Sequence, residues 1–261
     1  MKKSNGIVIR DLESPEEFRE TEVISRLAWQ FSDLAISPVS DLIAGSHSGG
    51  LTAGVFEGKQ MLGFVHGIPR VNQGKPCQHS HLLAVHPQAQ GKGLSIRLKL
   101  YQREWCLARG IRLVTWTYDP FFLTNARLNL ARLRATVRTF LPNFYGNMGG
   151  IYGELPTDRF EVIWRLDDPL VERAARGEES PVVREEEKLP IATTSGSIPS
   201  GPRVAVMFPA GAPGIYQTDP AFSLKERRRF ARIVPHLLDR GYEVTGVTLL
   251  RKGPAYVLEH R

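Results

Sequence analysis

His79-Ser-His-Leu-Leu-Ala-Val-His-Pro-Gln-Ala-Gln-Gly-Lys-Gly-Leu-Ser95 reads as a strand that runs into a glycine turn and then a helix. The apolar run at residues 82–85 is short, partly β-branched and stopped by Pro87, as a buried strand is. Gln90-Gly91-Lys92-Gly93 follows, with two residues that tolerate left-handed backbone angles and let the main chain approach a ligand closely. Leu94, Leu98, Tyr101, Trp105 and Ala108 then recur at spacings of three and four, one face of a helix, until Gly110 offers a C-terminal cap. The first amides of such a helix lack intrahelical partners and its dipole favours negative charge, so the turn suits a pyrophosphate, with Lys92 and Arg97 as nearby cations.

Two familiar phosphate loops fit poorly. A P-loop carries Lys followed by Ser or Thr after its last glycine, and Gly91-Lys92-Gly93 does not. The dinucleotide fingerprint needs a small third residue where Ile96 stands.

The stretch resembles the central signature of the GNAT superfamily of N-acetyltransferases: Gln or Arg, two residues, Gly, one residue, then Gly or Ala. Here the positions are Gln90, Gly93 and Ser95, the last a departure that stays small. The resemblance implies that Gln90, Gly91, Lys92, Gly93, Leu94 and Ser95 hold the pyrophosphate of acetyl-CoA or another acyl-CoA. It implies too that Leu83, Ala84 and Val85 pair with the pantetheine arm.

Working outward, the order of elements agrees with that fold. Gly6-Ile-Val-Ile-Arg-Asp11 reads as a first strand, and Ser14-Pro15-Glu16-Glu17 opens a helix with a capping box that runs to about Trp29. A second helix starts at Ser37-Pro-Val-Ser-Asp-Leu-Ile43. Leu51-Thr-Ala-Gly-Val-Phe56 and Met61-Leu-Gly-Phe-Val-His-Gly67 form a hairpin, and residues 71–78 are expected as a loop leading to the signature strand. Ile111-Arg-Leu-Val-Thr-Trp-Thr117 is a strand parallel to it through the crossover helix; in this family the two splay, and the acyl arm enters the gap. Asn125-Ala-Arg-Leu-Asn-Leu-Ala-Arg-Leu133 resembles the family's last helix, whose N-terminal Asn often contacts the cofactor. Asn125 is therefore the cofactor candidate there, with a simple N-cap as the alternative.

The expected fold class is α/β (α+β): a mixed, mostly antiparallel twisted sheet flanked by helices, plus a small C-terminal module. The acyltransferase domain is expected over residues 1–168. A linker is expected over 169–201, where Arg184-Glu-Glu-Glu-Lys188 and Thr193-Thr-Ser-Gly-Ser197 are charged and then small and polar. Residues 202–261 read as strand, helix, strand, strand, with Pro235 kinking or shortening the helix. About 60 residues make a marginal core, so this module is expected to dock on the main domain or on a second subunit, as in a homodimer.

Acyl transfer to an amine needs a base for the amine's proton and an acid for the leaving thiolate. His79 and His81 are two apart on the signature strand, which puts them on one face, and imidazole titrates near neutral pH. They stand at the offsets of a histidine pair in the arylalkylamine N-acetyltransferases, and His79 at that of a glutamate base in the histone acetyltransferase branch. The resemblance thus makes both base candidates, against solvent-facing or core-bonded histidines, or a two-histidine metal site lacking a third ligand. Many family members use a Tyr of the last helix as acid; none occurs here between Asp119 and Phe144, which leaves Tyr145 or Tyr152 just beyond.

At 261 residues, a formal charge of +7 and pI near 9.6, the chain is basic but otherwise ordinary globular material. A nucleic-acid reading would use Arg127, Arg132, Arg134, Arg138 and Lys225-Glu-Arg-Arg-Arg229, yet these recur on helices with apolar partners, so solvated faces explain them more cheaply. Cys77 and Cys106 lack metal-motif spacing and suit a reducing compartment, expected to be the cytoplasm. Met1-Lys-Lys is not followed by the apolar core of a signal peptide, and no apolar run approaches membrane-spanning length. The leading reading is an acyl-CoA-dependent N-acyltransferase acting on an unidentified amine; the alternatives are an acyl-CoA-binding regulatory module without turnover and a nucleic-acid-binding protein.

Overall fold

Ser14 caps as its setting demands: its hydroxyl accepts from the Glu17 amide at 3.3 Å, and Pro15 occupies the first helical turn. The reciprocal half of the capping box, the Ser14 amide on the Glu17 carboxylate, is joined by two further donors. The Glu17 carboxylate accepts from the Glu13 amide at 2.9 Å and from Arg10, whose guanidinium holds that carboxyl down at about 2. These contacts come from a computed structural model that describes residues 6–178, 189–193, 199, 201–208 and 219–260. The chain forms two compact units, residues 1–116 with 149–151, and residues 117–148 with 152–261.

The first unit comprises β1 (Ile7–Asp11), α1 (Pro15–Trp29), α2 (Val39–His47), β2 (Leu51–Glu57), β3 (Gln60–Asn72), β4 (Lys75–Val85), α3 (Leu94–Leu107) and most of β5 (Leu113–Tyr118). Its strands lie in the order β1-β2-β3-β4-β5, antiparallel except for β4 with β5. Alternation along the strands makes two cores. Val55, Val65, Val85 and Leu51 meet Leu94 and Leu98 of α3, whereas Phe56, Phe64 and Ala84 meet Phe18, Ile24 and Leu42 of α1 and α2.

Residues 71–78, expected as a loop, are instead the tip of the β3–β4 hairpin. Gln73 (φ 50°) and Gly74 (φ 74°) make a two-residue turn, and the ladder runs unbroken from Asn72↔Lys75 to Gly67↔Ser80, passing through Pro69 and Pro76. A turn with both central residues left-handed matches the strand twist, which outweighs the discouragement of proline. Beyond Gly67↔Ser80 the register shifts to His66↔Leu82, so His81 has no residue opposite it: a bulge. The parallel ladder between β4 and β5 holds two residue pairs, Gln78↔Val114 and His79↔Thr115.

The second unit contains α4 (Leu123–Ala126) with a π-helical turn at Arg127–Arg132, β6 (Thr136–Leu141), β7 (Arg159–Arg165), α5 (Pro169–Ala175), β8 (Arg203–Met207), α6 (Pro220–Asp239), β9 (Tyr242–Leu250) and β10 (Gly253–His260). Its antiparallel strands run β7-β6-β9-β10-β8 around an aromatic core of Phe121, Phe160, Phe230 and Tyr256. The expected strand-helix-strand-strand module is present from residue 203, but it is built into this unit. β9 pairs with β6 through Val137↔Val244, the Tyr256 hydroxyl donates to the Pro120 carbonyl at 2.6 Å, and Arg227 pairs with Asp119. The compact units divide after Trp116, with residues 149–151 belonging to the first.

Two further expectations change. Residues 169–175, assigned to the linker, form α5, because Asp168 caps it by accepting from the Leu170 amide at 2.8 Å and Pro169 begins it. Residues 179–188, 194–198 and 200 of that linker lie outside the described residues. Pro235 does not shorten α6, which starts at the Asp219 cap and continues to Asp239. The buried stripe Phe230, Ile233, Val234 and Leu237 runs past the proline on both sides, and its burial outweighs the lost hydrogen bond.

Candidate active site

β4 ends at Val85, and the Gln90 side chain reaches back to donate to the Val85 carbonyl at 3.2 Å, tying the turn to the strand. Gly91 (φ 77°) and Gly93 (φ 74°) are both left-handed, so the turn has the backbone that glycine permits. Gly93 is the N-cap of α3 and offers no side chain to its first amides. A Cβ on Gly91 would meet nothing within 4 Å, and one on Gly93 would meet only Ile96 Cγ2 at 3.9 Å. Helix-start amides without a side-chain cap, open space around Gly91 and Gly93 and the exposed Lys92 beside them form an open cradle whose sign favours an anion. Ser95 is half-buried on the first turn, Leu94 is anchored in the core, and Arg97 donates to the Ile7 carbonyl of β1 at 3.4 Å.

Histidines line the middle of β4. The bulge interrupts the two-residue alternation on which a shared face for His79 and His81 was predicted, yet their ring centroids are 6.3 Å apart. His66 of β3 extends the row, 6.4 Å from His81. His79 is half-buried, with Nδ1 3.3 Å from Thr115 Oγ1, a hydroxyl that also accepts from Arg70 at 3.0 Å. His81 is exposed at one edge, while the protein around it lowers its pKa. His66 is 2% exposed, and burial pushes it down to about 4, so it is neutral at physiological pH. Its Nδ1 lies 2.8 Å from Thr52 Oγ1, which in turn is 2.6 Å from Ser46 Oγ. From His81 to Val85 is four residues of strand, about 13 Å, so one element carries both the histidines and the entrance to the cradle. Among the described residues no group of three or more His, Cys, Asp or Glu could hold a metal ion.

Sequence reasoning missed His66 and a polar network beneath the fork of β4 and β5. Ser80 Oγ donates to Gln102 Oε1 at 3.0 Å, Gln102 Nε2 to Gln78 Oε1 at 2.6 Å, and Cys106 Sγ to Gln78 Oε1 at 3.4 Å. Lys99 Nζ donates to Ser80 and Gln102 in the same network. Gly67 makes room for it, since a Cβ there would stand 2.4 Å from Gln78 Oε1. The signal was present: Lys99, Gln102 and Cys106 follow at steps of three and four, so a face wider than the apolar stripe is buried. Both cysteines are buried and free, and burial raises both thiols, Cys106 to about 12, so neither is a thiolate at neutral pH.

The remaining sequence-predicted residues belong to the second unit. Asn125 is exposed on α4 but is not its N-cap, a position held by Phe122. The Tyr145 hydroxyl lies 3.1 Å from Thr117 Oγ1, and its ring packs edge-on against Phe144 at 4.6 Å. Tyr152 packs against Phe122, with the Arg159 guanidinium 4.7 Å from its ring centroid, and burial raises its pKa. Arg227, from the basic run considered for nucleic acid, is 2% exposed and donates to Asp119 at 2.8 Å, so it is a core residue.

No family model matches the sequence, and no curated protein matches it. Solved structures do match in fold. The ribosomal-protein-S18-alanine N-acetyltransferase from Escherichia coli aligns with a TM-score of 0.50 at 17% identity, covering 62% of this chain and 95% of that one. Ard1 from Thermoplasma volcanium gives 0.50 at 15%, covering 62% and 99%. yncA from Salmonella typhimurium, solved with its cofactor acetyl-CoA, gives 0.51 at 19%, covering 63% and 96%. The chain shares its fold with these structures. Among the described residues, no helix is long and apolar enough to cross a membrane.

Proposed function

We propose that this chain is an acyl-CoA-dependent N-acyltransferase that passes an acyl group from the CoA thioester directly to an amine. The observation that carries the reading is the cradle, helix-start amides with no side-chain cap behind two left-handed glycines, at the end of a strand whose ladder with β5 stops after two pairs. The shared fold with yncA, which was solved with acetyl-CoA, supports the same ligand.

In this reading the amides from Gly91 to Ser95 take the diphosphate, with Lys92 adding charge, while Gln90, its amide on the Pro87 carbonyl and its side chain on the Val85 carbonyl, fixes the turn. The main chain of Leu83, Ala84 and Val85, beyond the last β4–β5 pair, is available to pair with amides of the pantetheine arm. When bound, acyl-CoA supplies a thioester carbonyl open to attack by an amine lone pair. His81, neutral at pH 7 because its pKa is lowered, accepts the amine's proton directly or through one water, and His79 is the next acceptor in the row. By the family resemblance alone, Asn125 is the further candidate for cofactor contact and Tyr145 the candidate acid for the departing thiolate.

Calorimetric titration with acetyl-CoA and CoA tests the reading, alongside a folded Gly93→Glu variant that puts bulk and negative charge into the cradle. Micromolar-range binding lost in the variant supports it. No binding by the wild-type protein overturns it, and binding without turnover on a panel of amines replaces the enzyme with an acyl-CoA-binding regulatory module.

A further inference from the structure

Lys99 lies on the buried face of α3, 3% exposed, with Nζ 2.7 Å from Ser80 Oγ of β4, 3.2 Å from Gln102 Oε1 and 3.8 Å from the ring centroid of Trp116 on β5. The last pair of the parallel ladder is His79↔Thr115. Ser80 and Trp116 are therefore the residues that would meet next if the strands stayed together, and one amine touches both. Its described polar partners are neutral, so charge pairing does not account for a lysine there. An apolar side chain would fill the same space without desolvating an amine, a cost that the contacts to both prongs of the fork offset. The titratable group acting on Lys99 is Cys106 of its own helix, a neutral thiol, and burial lowers Lys99 to about 7.

We propose that Lys99 is a positioning residue that wedges the β4–β5 fork at its vertex and thereby sets the width of the gap for the cofactor's acyl arm. The role of the gap rests on the acyl-CoA reading; the wedge itself rests on the Lys99 contacts. In chemical terms the residue touches neither the diphosphate cradle nor a reacting atom. It fixes the separation of the two strand edges between which a thioester arm must fit.

The test compares two ligands. Wild type, Lys99→Met and Ser80→Ala are titrated with CoA and with 3′-phosphoadenosine 5′-diphosphate, which keeps the cofactor's phosphates and lacks its pantetheine arm. Lys99→Met is expected to lose about tenfold or more in CoA affinity while holding the nucleotide within about twofold, and Ser80→Ala to show a smaller loss of the same kind. Equal losses for both ligands, as general misfolding would give, or no loss for either, overturn the wedge. Should Lys99→Met not fold, Ser80→Ala carries the same comparison. Failure of wild type to bind CoA would instead overturn the acyl-CoA reading, and the wedge is then read without ligand. In protein labelled with 5-fluorotryptophan, Ser80→Ala should move the Trp116 resonance when Lys99 is present and leave it in place in a Lys99→Met background. An equal shift in both backgrounds overturns the coupling.

Discussion

His66→Gln isolates a buried imidazole whose charge state the fold dictates. The ring is 2% exposed, Gly45 packs so closely that a Cβ there would stand 3.0 Å from His66 Cε1, and burial depresses the pKa from 6.5 to about 4. A histidine with a depressed folded pKa contributes stability that is present above its unfolded pKa and is lost as pH falls toward the folded one. Between those values the unfolded chain binds a proton that the folded chain refuses. Each unit of difference corresponds to about 1.4 kcal/mol, so moving from pH 7 to pH 5 should remove roughly 2 kcal/mol through this residue alone. The window avoids Glu17, whose carboxyl, held at about 2 by Arg10, gives up its contribution only below its ordinary value of 4.5. Gln keeps a polar group toward Thr52 but cannot titrate. Urea denaturation of both proteins at pH 7 and pH 5 reads the difference through the transition midpoint. His81 also has a lowered pKa and contributes in the same direction, but it is present in both proteins and cancels in the comparison. If His66→Gln loses as much stability as wild type over that interval, His66 is not the neutral buried group described here.

Gly67→Ala, which forces a Cβ to within 2.4 Å of Gln78 Oε1 and 2.9 Å of Gln102 Nε2, should cost about 1–3 kcal/mol in thermal or urea melts. Gly246→Ala, where the nearest atom is Val257 Cβ at 3.9 Å, should be close to neutral; equal costs would mean that the network does not depend on the close approach. Arg227→Met leaves the buried Asp119 carboxylate with Arg159 at 3.7 Å as its remaining cationic partner among the described residues, takes the same cation from Asp158, and should cost about 3–5 kcal/mol, roughly a 10 °C fall in Tm. A fall below about 3 °C would show that the pair does not anchor α6. His81→Ala should lower kcat/KM at least about 100-fold, and the acidic limb of the wild-type pH–rate profile should fall below pH 6.5 because its folded pKa is lowered. An unchanged rate would move the proton acceptor elsewhere.

Some features needed no tertiary information. The capped start at Ser14, the glycine turn at Gly91 and Gly93 and the strand-turn-helix order around them are set by neighbours a few residues apart, so a local reading finds them. The cradle belongs to this class, because its donors are consecutive amides of one turn. Pairing that joins distant segments was partly legible: the two apolar runs at residues 51–56 and 61–67 read as a hairpin, but residues 71–78 passed for a loop because Asn72, Gly74 and Pro76 carry a turn signal that the ladder overrides.

What the amino-acid order could not decide was depth and register. A one-residue bulge leaves His81 without an opposite residue and brings His66 of the neighbouring strand into its row, and nothing in the spacing of His79 and His81 announces that β4 carries one residue more than β3 between them. Arg227 sits in a run that reads as a solvated basic face, and only the approach of Asp119, more than a hundred residues away, turns it into a core residue. Lys99 is the same case on α3. A lysine is assigned to solvent by its composition, and it is the fork of two strands meeting that helix that holds it inside. Local propensity acts over one or two turns of chain, whereas desolvation and ion pairing depend on which distant atoms fill the surrounding volume, and that is set when the sheet closes over the helices.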